Sequence, residues 1–218
     1  DYGDIDLTDK LVIYLVNDPD FAAQPDEPVA GRFGNRRMTY YGRWAYKFEE
    51  AARRGAFGAL VIHETEAAGY DWSVAAAGAG ENVSLANKDP KALPVKLQGW
   101  LHNDAAHKLL ATAGHDLDAL REKARQPEFQ AFELEGIRFD ADLEVDITTF
   151  DSQNVLGLIP GSARPEEVIM ASAHWDAYGI GALDEQGRTV RAGANDDALG
   201  SAGILEIARV IKAAPALE

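Results

Sequence analysis

Two stretches of the sequence constrain the fold most. The first, Val168–Asp176, is an apolar run that ends in His174 and Asp176, and the second, Gly193–Gly200, is a glycine-bounded acidic turn around Asp196. An apolar run of this length is typical of a buried strand, and the residues after the acidic turn have the apolar spacing of a helix. Together the two stretches predict a strand, a long loop and a helix within an α/β sheet.

The residue types at these positions favour a metal site. A strand directs alternate side chains to one side, so we expect His174 and Asp176 to project together at the strand's carboxyl end, where sites form in open α/β sheets. A metal-binding His usually hydrogen-bonds a carboxylate through its other ring nitrogen, which is the role expected for Asp176. The two oxygens of Asp196 could bridge two cations about 3.5–4 Å apart. An ordinary hydrogen-bonded pair and a helix N-cap at residues 195–197 stay open as simpler interpretations.

Residues 174–176 and 193–206, taken in this order, resemble the zinc-binding opening of the M28 family of metallopeptidases. That family includes bacterial aminopeptidases and the glutamate carboxypeptidase group. The resemblance implies that His174 binds one zinc, that Asp196 bridges two zincs and that Asp176 orients His174. It implies zinc as the cofactor and a peptide as the substrate.

The chain departs from the family pattern in two places. Leu199 stands where the family usually has Ser or another small residue, just after the expected ligands. The resemblance also implies a later Glu-Glu pair that supplies the general base and a zinc ligand, then a further Asp and a His. Beyond the acidic turn this sequence has only Glu206 and Glu218 as acids, and no His. With the general base absent and fewer than three metal ligands, we expect no turnover and weak zinc binding at most.

The earlier part of the chain alternates between strand and helix patterns. Apolar, β-rich runs predict three buried strands, at residues 10–16, 56–62 and 94–101. Helical spacing predicts three helices: one over residues 42–55, one capped by Asp104, and a short one that begins at Asp116 or Asp118. Residues 65–92 are expected to form a long loop, in which Tyr70 and Trp72 pack against the protein. His63 and Glu64 follow the second strand and are expected to be ordinary polar residues at a strand end.

This order of elements, from about residue 5 to 135, resembles the protease-associated (PA) domain that several M28 enzymes carry as an insertion. The resemblance implies a β-rich module with flanking helices that shapes substrate access and has no catalysis of its own; a plain α/β lid or spacer is an equally open interpretation. We predict a mixed α/β chain with a PA-like domain over residues 1–138. Residues 139–218 are predicted to be the N-terminal part of a truncated M28-type peptidase domain, with an incomplete phosphorylase/hydrolase-like sheet.

Three further patterns lie in the second half of the chain. Alternating apolar residues over 129–150 predict one or two half-exposed strands, and residues 154–161 predict another strand closed by a Pro-Gly turn. Ala202, Leu205 and Ile211 lie on one face of the final predicted helix. In a truncated sheet we expect this apolar face to be exposed or covered by a second copy of the chain, which makes self-association possible.

Composition excludes several classes of function. The net charge of -15 argues against nucleic acids and anionic membranes as partners, and the absence of cysteine excludes disulfides, thiolate zinc sites and a cysteine nucleophile. No segment approaches the roughly 20 apolar residues of a membrane span. Because there is no initiator Met or signal peptide, we expect a processed or excised fragment. The family resemblance implies an extracellular or periplasmic location.

These patterns lead to one functional expectation and two alternatives. We expect the parent protein to be a zinc-dependent exopeptidase, most directly an aminopeptidase, that hydrolyses peptide bonds with a water activated by two zincs. The first alternative is a non-catalytic interaction or substrate-access module of a degenerate relative, although the presence of His174, Asp176 and Asp196 argues against degeneracy. The second is acyl transfer of the kind seen in glutaminyl cyclases, which share the fold but lack a PA-like insertion.

Overall fold

The computed structural model describes residues 2–76, 83–86, 95–177, 179–181, 183 and 186–214. The chain divides into two compact units, Asp1–Thr149 and Phe150–Glu218, which we call unit 1 and unit 2. The boundary between a PA-like and a peptidase domain after residue 138 stays a prediction, and so does the PA-like identity of the first part. Within the described part of the chain, no helix is long and apolar enough to cross a bilayer.

Unit 1 is organised around a parallel sheet of three strands in the order β1-β2-β3. The strands are β1 (Leu11–Leu15), β2 (Gly58–His63) and β3 (Leu97–His102). All three confirm strands predicted from the apolar runs. In the register of the sheet, Val61 of β2 lies opposite Tyr14 on one side and Trp100 on the other. Mixed α/β architecture, as predicted, is therefore present in unit 1.

Among the described residues of unit 1, five α-helices accompany this sheet: α1 (Trp44–Arg53), α2 (Thr65–Ala68), α3 (Trp72–Ala75), α4 (Asn103–Thr112) and α5 (Leu117–Lys123). Phe48 and Ala51 of α1 belong to the same buried cluster as Ala59 and Val61 of β2. On the other face, Ile62 packs with residues of α4 and α5 in a second cluster. Because successive residues of a strand point to opposite faces, β2 supplies both layers of the core.

The structure corrects two local predictions in unit 1 and decides between two candidate caps for α5. Residues 65–92 are not all loop, since α2 and α3 lie within their described part. Asp104 does not cap α4; His102 does, because β3 runs directly into the helix and the Nδ1 of His102 accepts the N–H of Asp104 at 3.1 Å. Of the two candidates for the cap of α5, the structure selects Asp116, whose Oδ1 accepts the N–H groups of Asp118 and Ala119.

The strands predicted at residues 129–150, 154–161 and 168–176 are absent from the described residues, and these predictions were wrong. The backbone in these ranges belongs to no described sheet, and apolar side chains such as Ile169, fully exposed, stand in solvent. A strand exists only when a neighbour takes its N–H and C=O groups, and no such neighbour pairs with these ranges. Unit 2 contains instead a short antiparallel ribbon of β4 (Gly179–Ile180) and β5 (Val190–Arg191).

The predicted final helix is confirmed as α6 (Leu199–Ala213). A single wide turn, Ala194–Ala198, leads into it, and Asp196 and Asp197 have non-helical backbone angles there. Apolar side chains of α6 are exposed, with Leu205 at 73%. The exposure of this apolar face was predicted. Self-association through it stays a prediction.

Replacing Val61 by Ala should reduce the free energy of unfolding of unit 1 by about 2 kcal/mol, because it removes buried methyl groups and leaves a cavity. Val61 is completely buried in the central strand, whereas Val145 is 67% exposed, so Val145→Ala is the matched control and should change stability by less than about 0.5 kcal/mol. Urea unfolding followed by tryptophan fluorescence measures both. Equal effects of the two substitutions would contradict the central position of β2.

Candidate metal centre

The structure brings together the three side chains that the sequence singled out. His174 and Asp176 lie in a segment of unit 2 that is neither helix nor strand, and Asp196 lies in the turn before α6. Nε2 of His174 is 2.9 Å from Oδ1 of Asp196, and Nδ1 of His174 is 3.1 Å from Oδ1 of Asp176. The two ring nitrogens therefore face two different carboxylates.

Acceptors lie near both ring nitrogens of His174. The carboxylate and the backbone carbonyl of Asp176 lie near Nδ1, at 3.1 and 3.2 Å, and the Asp196 carboxylate lies near Nε2. Without a metal these contacts favour a proton on each nitrogen; with a cation at Nε2, the two acceptors at Nδ1 would keep the remaining proton there. This arrangement is the one needed by a metal-binding His with an orienting carboxylate. The metal-binding and orienting roles themselves stay predictions.

The surroundings of His174 favour its charged form. Loss of hydration around the ring opposes protonation, but the hydrogen bond to the Asp176 backbone and the negative charge of Asp176 outweigh it. The hydrogen bond to Asp196 and the charge of Asp197 act in the same direction, so the pKa of His174 is raised above 6.5. The His174 side chain is 51% exposed and that of Asp196 is 58% exposed, so the centre is open to solvent.

The two donor types are suitable for zinc, but two donors are too few for a complete zinc site. Imidazole nitrogen and carboxylate oxygen are common zinc ligands at about 2.0–2.2 Å, and two such ligands at a tetrahedral angle lie roughly 3.4 Å apart. The observed 2.9 Å between Nε2 and Oδ1 is within about half an ångström of that value. No group of three or more His, Cys, Asp or Glu side chains with metal-binding geometry occurs in the described ranges. A catalytic zinc usually has three protein ligands, so these residues supply part of a centre.

Sequence reasoning missed the residues that hold the backbone of His174. Oδ2 of Asp197 accepts the N–H of His174 at 3.0 Å, and the hydroxyl of Ser201 donates to the C=O of His174 at 3.0 Å. Oδ1 of Asp197 also accepts the N–H of Gly200 at 3.2 Å. This last contact is the helix-capping role considered for residues 195–197, and it was the available signal for Asp197. No sequence signal linked Ser201 to His174.

The polar pair at the end of β2 has the ordinary role expected for it. His63 is buried among aromatic rings, with its centroid 5.5 Å from that of Trp72 and 5.4 Å from that of Trp100. Tyr70 packs in the same group, as predicted. Glu64 pairs with Arg121 of α5 at 3.2 Å.

In metal-free protein, the His174 imidazole should titrate above 6.5, and Asp176→Asn and Asp196→Asn should each lower its midpoint, because each removes a negative charge that favours the imidazolium. An NMR titration of the histidine ring protons measures the three midpoints, with the imidazole of a short unstructured peptide as the reference. A midpoint for His174 at or below the peptide value would contradict the contacts described above.

The comparison with protein families agrees with the position of this centre. The model of peptidase family M28 matches residues 154–217, a segment that includes His174, Asp176 and Asp196. The match covers under a third of the chain and does not extend into unit 1. No solved structure shows a significant match to the chain. The segment that carries the candidate centre is therefore similar to part of peptidase family M28.

Proposed function

We propose that the parent protein of this chain is a zinc-dependent exopeptidase and, more specifically, an aminopeptidase. The observation that carries the proposal is the pairing of His174 Nε2 with Asp196 Oδ1 at 2.9 Å within the M28 segment. Family membership alone supports a peptidase-related protein. The two acceptors near Nδ1, which would keep the proton there when Nε2 binds a cation, add a reason to expect zinc at this place.

The residues of this chain would have three roles in hydrolysis. Nε2 of His174 and the carboxylate of Asp196 would bind zinc. The family resemblance implies that Asp196 would be shared by two zincs. Asp176 would keep the proton on Nδ1, so that Nε2 stays available as a ligand. Zinc, when bound, lowers the pKa of a coordinated water toward about 7 and polarises the scissile carbonyl. A Glu outside these residues would accept the proton of that water.

We further propose that these 218 residues alone do not hydrolyse peptides and bind zinc weakly. The support is the count of donors: His174 and Asp196 are two, and the described ranges contain no cluster of three. Exposure of both side chains adds to this weakness, since water competes with ligands in an open site.

We propose a preference for the amino terminus of a peptide from the charge of the chain. The net charge of -15 favours the approach of cationic groups, including free amino termini, and disfavours nucleic acids. An extracellular or periplasmic location is proposed from the family resemblance.

A non-catalytic interaction or access module is the second candidate. Unit 1 has its own two-layered core, and it exposes Tyr40 and Tyr41, each 54% exposed, which pack edge-to-face with each other and with Tyr46. Tyrosine and tryptophan are enriched in protein interfaces. This surface favours a binding role for unit 1 whether or not unit 2 belongs to an active enzyme.

Zinc content and hydrolysis of leucine anilide, measured on this chain and on the full-length parent, test the proposal. The parent should bind two zincs and be active, and His174→Ala should reduce its activity at least about a hundredfold, since even residues behind the ligands contribute ten- to hundredfold to metal affinity. His107→Ala, at a half-exposed histidine of α4, is the matched control and should have no effect.

Three results would contradict parts of this proposal. A parent that binds no zinc and cleaves nothing would leave the interaction module as the better candidate. Hydrolysis of a carboxy-terminal residue with no action on leucine anilide would replace the aminopeptidase by a carboxypeptidase. Activity of the 218-residue chain itself would show that its metal ligands have been undercounted.

A further inference from the structure

The segment that carries His174 lacks the support that usually positions a site residue. Residues 168–177 belong to no strand, and most of their side chains are exposed. A backbone without a sheet neighbour is held only by the individual hydrogen bonds that reach it. The distance between the His174 ring and Asp196 must therefore depend on a small number of contacts.

One carboxylate joins the His174 backbone to the start of α6. Asp197 accepts the N–H of His174 with one oxygen and the N–H of Gly200 with the other, at 3.0 and 3.2 Å. A carboxylate that receives two backbone N–H groups makes charge-assisted hydrogen bonds, which are stronger than neutral ones. Asp197 is also the sequence neighbour of Asp196, so fixing Asp197 fixes the backbone of one candidate ligand against that of the other.

The same turn of α6 holds the other side of the His174 peptide. The Ser201 hydroxyl donates to the C=O of His174 at 3.0 Å. Both backbone polar groups of His174 are thus bound by residues at or next to the first turn of α6.

Gly200 is the residue that leaves room for the Asp197 carboxylate. A Cβ placed on Gly200 would overlap Oδ1 of Asp197 and would also lie 2.7 Å from its Oδ2. Any side chain at this position would displace the carboxylate from both N–H groups. Gly203, on the same helix, has no atom within 4 Å of the corresponding position, so the requirement is specific to Gly200.

We propose that Asp197, Gly200 and Ser201 form a positioning clamp, which holds the His174 backbone at the start of α6 and so sets the distance between the His174 ring and Asp196. None of the three residues is proposed to touch metal or substrate. The inference rests on the proposed function only in its consequence for zinc affinity. The clamp itself is a property of the metal-free protein.

Five variants of the 218-residue chain separate the clamp from general effects on helix stability. Asp197→Asn keeps the shape of the side chain but leaves one acceptor for two N–H groups. Gly200→Ala keeps the charge of Asp197 and displaces its carboxylate. Ser201→Ala removes the hydroxyl, and Ser201→Thr should restore its contact. Gly203→Ala is the matched control, because Ala favours a helix over Gly at both glycine positions and only Gly200 contacts the carboxylate.

Two measurements are made on each variant: hydrogen exchange of the His174 amide by NMR without metal, and zinc affinity by competition with a chelator. Asp197→Asn and Gly200→Ala should accelerate exchange by about tenfold, the loss expected for one net hydrogen bond. They should weaken zinc binding by about ten- to hundredfold, as is typical for residues that orient ligands. Gly203→Ala should change neither value by more than about twofold.

The outcomes are distinguishable. Unchanged exchange in both Asp197→Asn and Gly200→Ala would overturn the clamp, whatever happens to zinc. Weaker zinc binding in Asp197→Asn with unchanged exchange would identify Asp197 as a ligand and would also overturn it. A wild-type chain that binds zinc no better than His174→Ala would count against zinc binding by His174 in this chain, and the exchange rates alone would then decide for or against the clamp.

Discussion

Hydrogen bonding of β2 on both edges is the constraint on which unit 1 depends. β2 pairs with β1 on one side and with β3 on the other, in continuous parallel register from Gly58 to Ile62. A strand in this position must be buried on both faces, and Ala59 and Val61 toward α1 and Ile62 toward α4 and α5 satisfy that requirement. The helices of unit 1 are placed by the need to cover these faces. The polar residues at the carboxyl ends of the strands then cap helices or pack among aromatic rings.

Unit 2 has no comparable ladder, and its order at the candidate centre comes from side chains that bind the backbone. His174 is held through its N–H, its C=O and both ring nitrogens, by four residues that lie within 27 positions of it in the sequence. Such contacts are individually modest, with a net value of about 1 kcal/mol each for neutral groups. Their effect is local: they fix one imidazole and leave neighbouring side chains such as Ile169 in solvent.

The difference between the two units explains which sequence predictions succeeded. Burial on a strand or helix face leaves a periodic pattern in the residues themselves, and that pattern located β1, β2, β3 and α1 to within a few residues. Alternation over 129–150 shows that a segment is able to form a strand but does not specify a neighbour, and no pairing formed there. The start of α4 was misplaced because β3 leads directly into it and leaves His102 as the cap.

At the centre, motif order selected His174, Asp176 and Asp196, and the structure brings these three together. The contacts of Asp197 and Ser201 with His174 span 23 and 27 residues of sequence. Local propensity carries no information about contacts of that range. The need for glycine at position 200 was equally unpredictable from local sequence, because a glycine is required there only to leave space for the Asp197 carboxylate.

Helix α6 links the candidate centre to the exposed apolar surface of unit 2. The first turn of this helix binds the His174 backbone, and Leu205, 73% exposed, lies about 7.5 Å further along the axis at 1.5 Å per residue. A surface that packs on α6 to bury Leu205 would therefore lie close to the centre along the same helix. Removing water there would strengthen the attraction between a cation and the carboxylate of Asp196, because the effective dielectric constant falls. A third donor and a drier environment are the two properties that His174 and Asp196 lack, and a single packed surface beside α6 could supply both.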